Sequence, residues 1–365
     1  MNITEVLVQP QAIAWLPWAV QYFFYIGSAY AAAILFLIAL LFESYTSHRL
    51  RAALVLTLAI GAIVGPLALT GDLHQPGRAW HFYPYLTPWS WMSLGSIFLP
   101  LFSALSVVTA WLYLRNDLLG LAQQPGKVLP LLSKLALGRW QTSPQLMLVV
   151  AALTVVSGLT IALYTGAEIS IVQSRSLWHQ PASPLLWFIT AFLGAVGFTV
   201  LIWWLIPSND KALTLADARL LKQATALSGL LAILLLPIWA SNNASFSLYA
   251  DPQWLKRLFL MALLLLTSVV LALFALREQN RGLWPTTLLA LITLASSWTV
   301  RWVTMMDVQT IAKFDVGPFP YQLPLGSNGW LGIIGMFGLW FALALLGSEL
   351  IQPSRKTAAS AANQH

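Results

Sequence analysis

Asp72, His74, Arg78 and His81 fall within ten residues of one another in the segment TGDLHQPGRAWHFYPYLTPWSW, Thr70 to Trp91. The segment follows directly on a long apolar run. Ionisable groups at the end of such a run are costly to keep and mark a functional site by default. Their types suit a reaction that releases protons at both ends of a small aromatic substrate. Oxidation of a quinol sheds two protons and two electrons, so a base is needed near each phenolic oxygen. Histidine, with an unperturbed pKa of about 6.5, suits one end, and a carboxylate can orient it or relay its proton. Arginine cannot act as a base, but it can hold the carboxylate or a ring oxygen through charge-assisted bonds. Pro76 and Gly77 predict a turn that brings Arg78 back towards Asp72. A plainer reading has Asp72 and Arg78 merely pairing across that turn, with His81 at headgroup level.

A second segment, YTGAEISIVQSRSLWHQP, repeats this order of types: Thr165-Gly166, the acid Glu168, the base Arg175, then Trp178-His179 and Pro181. The first runs Thr70-Gly71, Asp72, Arg78, Trp80-His81 and Pro84, so the echo is a faint internal repeat with unequal spacing. Glu168 is a candidate for the same site, for a proton exit or for a helix cap. A third segment, TVRWVTMMDVQTIAKF, carries Arg301, Asp307, Gln309 and Lys313. Only Gln309 and Lys313 are four apart and can be neighbours on one helix face. Asp307 must therefore find its partner on another helix or in water, and a solvated helix extension is expected here. Gln21, beside Tyr22 in WLPWAVQYFF, is an isolated polar residue in an apolar run. It can donate to a quinone carbonyl or bond to another helix.

The elements that must position these residues are membrane spans. Only 8% of the 365 residues are charged and 58% are hydrophobic, against about 25% charged in an average soluble protein. So few charges cannot cover so much apolar surface in water. Soluble enzyme, nucleic-acid binder and disordered chain are excluded. A barrel would show alternating segments of about ten residues, whereas the apolar runs here are unbroken and near the ~20 residues that cross as a helix. The expected fold is all-α and polytopic. About nine spans are predicted near 15–42, 52–71, 89–114, 145–165, 184–206, 222–242, 256–277, 284–303 and 328–350. Residues 1–350 are expected to form a single membrane domain, followed by a disordered tail at 351–365.

Charge gives these spans a direction. One set of connections, with the tail, holds 13 of the 19 Lys and Arg, and the other holds Arg78, Arg175, Lys256, Arg257, Arg301 and Lys313. The positive-inside rule then predicts an outer amino terminus and a cytoplasmic carboxyl terminus. Twelve of the 18 tryptophans fall near outer ends, a bias that a two-sided aromatic belt does not produce. The outer face is therefore expected to dock or bind something. The inner connections, such as SNDKALTLADARLLK at 208–222, read as plain solvated linkers.

What is missing narrows the chemistry further. The opening MNITEVLVQPQ lacks the basic region of a signal peptide. There is no cysteine, so no thiolate can hold an iron–sulfur cluster, and no span has a central histidine for a haem. No P-loop, dinucleotide fingerprint or metal-ligand spacing is present. Electrons that pass through this chain would go straight from a bound quinol to a cofactor in a partner. The competing class is a transporter, which usually shows broken spans in two related halves around a midplane site. Here the polar groups gather at one surface.

These residues resemble the NrfD/PsrC (polysulfide reductase) family of membrane anchors. The run LTGDLHQPGRAWHFYPY is similar to its D-L-x-x-P-x-R-x-W-H signature, with Asp72, Leu73, Pro76, Arg78, Trp80 and His81 in place. WLPWAVQYFFYIGSAYAAA resembles the family's first span and YTGAEIS the end of its fourth. PQAIAWLPWAVQYFF, LHQPGRAWHFY with TPWSWM, and VQTIAKF with PYQLP and NGWL resemble the branch that anchors tetrathionate reductases. The resemblance implies two four-helix bundles plus one extra helix, in a bacterial inner membrane, without haem, iron–sulfur cluster or metal. It implies a quinol, expected to be menaquinol, as bound substrate. It also implies an iron–sulfur subunit docked on the outer, periplasmic face, and through that a molybdopterin catalytic subunit; a polysulfide or thiosulfate reductase anchor is the alternative. The expected catalytic residues are Asp72 and His74. Gln21, Tyr22, Arg78, His81, Glu168 and Arg301 are the expected quinol-binding set.

Overall fold

The computed structural model describes residues 13–125, 127–208, 212–242, 247–277, 281–311 and 321–351. Among them nine helices are long and apolar enough to cross a membrane. They are α1 (Pro17–Leu41), α2 (His48–Asp72), α3 (Trp91–Gly120), α4 (Pro144–Ser170) and α5 (Ala182–Leu205). Then come α6 (Leu215–Ser241), α7 (Pro252–Ala275), α8 (Leu283–Trp302) and α9 (Trp330–Glu349). Lys313 and residues 352–365, the greater part of the expected tail, lie outside the described residues.

Local sequence explains the helix starts. Ser47, Ser90, Ser143 and Thr214 each accept a hydrogen bond from the backbone N–H three residues on, capping α2, α3, α4 and α6. Asp251 does the same for α7, accepting from Gln253 and Trp254. Pro17, Pro144 and Pro252 occupy first helical positions, where the missing N–H costs nothing. Only α1 among these borrows its cap from another helix, as described below.

α1 to α4 form one four-helix bundle and α5 to α8 a second, with α9 packed against α1, α2 and α5. α1 is the shared element, buried against α2 and α4 of its own bundle and against α5 of the other. Its contact with α2 is close because Gly61 lies over the Tyr25 carbonyl, where a Cβ would come within 2.8 Å of the oxygen. Small residues of this kind let membrane helices approach closely. The membrane-facing sides of α3, α4, α6 and α7 remain apolar and exposed. One end of the molecule, the His74 face, carries the starts of α1, α3 and α5 and the ends of α2, α4 and α8. The other is the His48 face.

The His48 face corrects the expectation of plain solvated linkers. α3 continues to Gly120, so Arg115 is helical and buried, donating to the Ala136 and Gly138 carbonyls at 2.9 Å and lying 3.5 Å over the Trp140 ring. His48 pairs with Asp117 at 3.1 Å, and Arg51 with Glu43 at 3.1 Å. Asp217 is fully buried and accepts from the Ser47 N–H at 2.9 Å. The reason is physical: helix ends leave carbonyls and amides unpaired, and at a membrane boundary nearby charged side chains satisfy them.

Candidate functional site

Asp72 is the last residue of α2, and its Oδ1 accepts a 2.9 Å hydrogen bond from the backbone N–H of Leu16. Leu16 is the N-cap residue just before α1, so a carboxylate of α2 caps α1. The positive end of the α1 dipole favours that placement. Beside this contact a cavity of about 530 Å³ opens on the His74 face, among α2, α3, α4 and the chain leading into α1. Its polar lining includes Asp72, His74, Tyr164 and Glu168, and Ala14, Trp15, Trp80 and Tyr83 form part of the remainder. Its size suits the ring of a small aromatic ligand.

Glu168 sits in the last turn of α4 and is 6% exposed. Its Oε2 is buried and has no protein hydrogen-bond partner. Tyr164, one turn earlier on the same helix, lies between the Glu168 carboxyl and the Tyr22 hydroxyl of α1. Tyr22 Oη is likewise buried without a bond. The Tyr164 ring fits because position 95 on α3 is glycine, where a Cβ would lie 2.3 Å from the ring. Asp72 is near enough to His74 and to Glu168 for their charges to interact. Two carboxylates, a histidine and a phenol thus border one largely apolar space.

The structure brings Asp72, His74 and Glu168 together and places the other expected site residues elsewhere. Arg78 is exposed and makes no ion pair with Asp72. The turn predicted from Pro76 and Gly77 is a 3-10 helix, Pro76–Phe82, and Arg78 sits within it. His81 lies outside the cavity lining, edge-on to Trp80 at 4.1 Å between ring centroids. Gln21 and Tyr22 are buried in α1 outside the cavity lining, and Gln21 Oε1 has no partner.

Arg301 is 1% exposed and ties α8 to α1 and α5. It donates to the Phe23 carbonyl at 2.9 Å, to Thr190 Oγ1 at 3.2 Å and to the Trp187 carbonyl at 3.1 Å. It is a cross-link between the two bundles, outside the cavity lining.

The stretch after Arg301 also departs from the solvated extension expected of it. α8 runs into a π-helical turn, Val303–Asp307, whose first four residues are buried. Trp178 and Trp187 donate to the Thr304 carbonyl and hydroxyl at 2.6 and 2.7 Å. Asp307 finds its partner on another helix, Arg257 of α7, at 2.9 Å. Arg175 donates to the Val308 and Ile311 carbonyls at 2.8 and 3.1 Å, and burial lowers its pKa. The echo between the two outer segments is therefore not a repeat of function: the first borders the cavity, and after Glu168 the second is locked onto α8.

Sequence reasoning missed Tyr164 and Trp15. The signal for Tyr164 was its place four residues before Glu168, on the same helical face. Trp15 carried no such signal, because it is brought to the cavity by a contact with Gln309, far along the chain.

Nine apolar helices among the described residues, eight in two bundles and the ninth packed against both, with a polar-walled cavity at one face, define a multi-pass membrane protein of all-helical architecture. The chain belongs to the NrfD family: residues 5–312 match the family described as polysulphide reductase, NrfD. It is similar to one of the subunits of the tetrathionate reductase of Salmonella typhimurium (strain LT2), with 37% identity over 363 residues that cover 96% of this chain and 95% of that protein. No cysteine occurs in the chain, and among the described residues no three His, Asp or Glu are grouped so as to hold a metal ion.

Proposed function

We propose that this chain is the quinol-oxidising membrane subunit of a tetrathionate reductase complex in a bacterial inner membrane. The observation that carries the reading is the shared cavity of Asp72, His74, Tyr164 and Glu168 at one membrane face. The relative's place among the subunits of a tetrathionate reductase supports the choice of complex. The distribution of Lys and Arg supports an outward, periplasmic His74 face. The redox partner is then an iron–sulfur subunit docked on that face, which passes electrons to a molybdopterin subunit where tetrathionate is reduced to thiosulfate.

In this reading the ring of menaquinol lies across the cavity. One hydroxyl faces Asp72 and His74, and the other faces Glu168, whose Oε2 lacks a partner until a hydroxyl donates to it. Loss of the two O–H protons to these bases leaves the electron pair to go, one electron at a time, to the nearest cluster of the partner. The quinol becomes quinone, and the protons leave through the exposed His74 side. Electrons and protons then exit on the same side, and turnover moves no net charge across the membrane.

The test is purification of the complex from membranes. Co-eluting iron and molybdenum, with quinol oxidation that depends on tetrathionate, are expected. A complex without those metals favours the transporter class. A Glu168→Gln complex that oxidises quinol at the wild-type rate removes Glu168 from the mechanism.

A further inference from the structure

The first bundle has a second cavity, at the end opposite Asp72. A cup of about 220 Å³ opens on the His48 face, among the end of α1, the start of α2, the end of α3 and the start of α4. Leu40, Leu112 and Met147 are its buried apolar residues. His48, Tyr113 and Thr142 are half-buried in its wall, and Glu43, Asn116 and Pro144 are exposed where it opens.

The polar side chains are bonded to one another in a way that leaves the cup rich in acceptors. Arg51 Nε donates to Tyr113 Oη at 2.9 Å, and Tyr113 Oη also meets His48 Nδ1 at 2.9 Å. His48 Nε2 faces both oxygens of Asp117, at 3.2 and 3.1 Å. A neutral imidazole satisfies these contacts by donating to Asp117 and accepting from Tyr113. Thr142 donates its hydrogen to the Leu112 carbonyl at 3.1 Å, so lone pairs are what it offers a ligand. Glu43 meets Arg51 at 3.1 Å, yet its side chain stays 59% exposed. Two carboxylates against one guanidinium give the cluster one net negative charge. Beside the cup, Leu41, Phe42, Leu146 and Val149 are apolar and exposed, as lipid-facing residues are. An occupant that suits both features is amphipathic, comes from the bilayer and brings a cation with several N–H donors.

We propose that the cup is a headgroup site for a phospholipid with a primary ammonium, phosphatidylethanolamine. The ammonium enters towards Glu43 and Thr142, where its three donors find acceptors. The phosphate stays at the mouth, within the reach of the Asn116 amide, and the acyl chains lie along Leu41 and Phe42. A choline headgroup has no N–H to donate, and a glycerol headgroup has no positive charge. The site is separate from the quinol cavity and does not depend on the quinol reading. A lysine side chain of a partner protein on this face is the rival occupant.

The experiment uses the purified, delipidated complex and three phospholipids with the same acyl chains, carrying ethanolamine, choline or glycerol. Native mass spectrometry counts the lipid retained on this chain. Ethanolamine lipid is expected to bind about fivefold more tightly than the other two, the upper range for one partly exposed ion pair. Glu43→Gln should abolish that preference. Glu349→Gln, an exposed carboxylate at the end of α9 on the same face, should leave it intact. Should Glu43→Gln fail to assemble, Asn116→Trp plugs the mouth and should bring the three lipids level. Equal retention of all three by the wild type, or a preference for the glycerol lipid, overturns the proposal and favours the partner side chain. A preference that survives Glu43→Gln or Asn116→Trp overturns it as well.

Discussion

Gln309 holds the chain at Trp15 with both ends of its amide, although the two residues are 294 positions apart. Its Oε1 accepts from the N–H groups of Ala14 and Trp15 at 3.0 and 2.9 Å, and its Nε2 donates to the Trp15 carbonyl at 3.0 Å. Ala14 and Trp15 are part of the cavity wall. The shape of the site therefore depends on a side chain that never enters it. Each buried bond contributes about 1 kcal/mol, so losing all three frees the segment. Gln309→Ala is expected to raise the quinol KM by about tenfold while kcat falls less, and Gln309→Glu, which keeps the acceptor, to recover part of the loss. An unchanged KM in Gln309→Ala would show that the segment holds itself.

Asp72 is expected to separate its two roles cleanly. Asparagine still offers an oxygen to the Leu16 N–H but cannot take a proton. Asp72→Asn should therefore assemble normally and lose quinol oxidation by about a hundredfold or more. Asp72→Ala removes the cap as well and should also lower the melting temperature of the purified complex, since a lost helix cap costs about 1 kcal/mol. Pre-steady-state quinol oxidation and thermal melts of the two variants check both halves. Equal melting temperatures for the two would mean that the cap contributes nothing.

How much of this was legible in the sequence follows from the range of the forces involved. Span number and all-helical class came from apolar run length, a local property, and all nine spans lie close to where hydropathy placed them. α2, α3 and α6 extend beyond the expected ends, because Ser47 and Thr214 cap earlier turns and Arg115 stays helical by reaching the Ala136 carbonyl. Asp72, His74 and Glu168 were legible as costly groups at helix ends. Glu168 was a candidate for the same site, but the cavity that all three line was not legible, because it depends on how α4 lies against α2. Arg78 was expected to pair with Asp72, but charge complementarity carries no information about the 3-10 helix, Pro76–Phe82, in which Arg78 sits. Arg301 looked like a ligand because an arginine among apolar residues announces only that something satisfies it. Here that something is backbone carbonyls and hydroxyls from two other helices.

Asp307 and Arg257 give a measurable tie between α7 and the π turn of α8. The pair is 2.9 Å apart, with side chains 14% and 31% exposed. Partial burial makes it stronger than a surface pair, yet solvent still screens it, so a coupling of about 1 kcal/mol is expected. A double-mutant cycle with Asp307→Asn and Arg257→Gln, read by thermal or denaturant stability, measures it directly. Additive effects would show that the two charges act independently.

Arg301 and Arg78 should respond differently to the same substitution. Lysine keeps the charge but replaces a planar fork of donors by a single ammonium. At Arg301 one ammonium cannot reach the Phe23 carbonyl on α1 and the Thr190 hydroxyl and Trp187 carbonyl on α5 at once. Gly27 marks how tight the fit is, since a Cβ there would stand 2.7 Å from Arg301 Nη2. Arg301→Lys is therefore expected to destabilise the fold by about 2 kcal/mol, the worth of one or two charge-assisted bonds. The Arg78 side chain is exposed and bonded to nothing among the described residues, so Arg78→Lys should leave the melting temperature unchanged. Melts of the two variants in one detergent decide the matter. A loss of stability in Arg78→Lys equal to that in Arg301→Lys would mean that Arg78 has a structural partner after all.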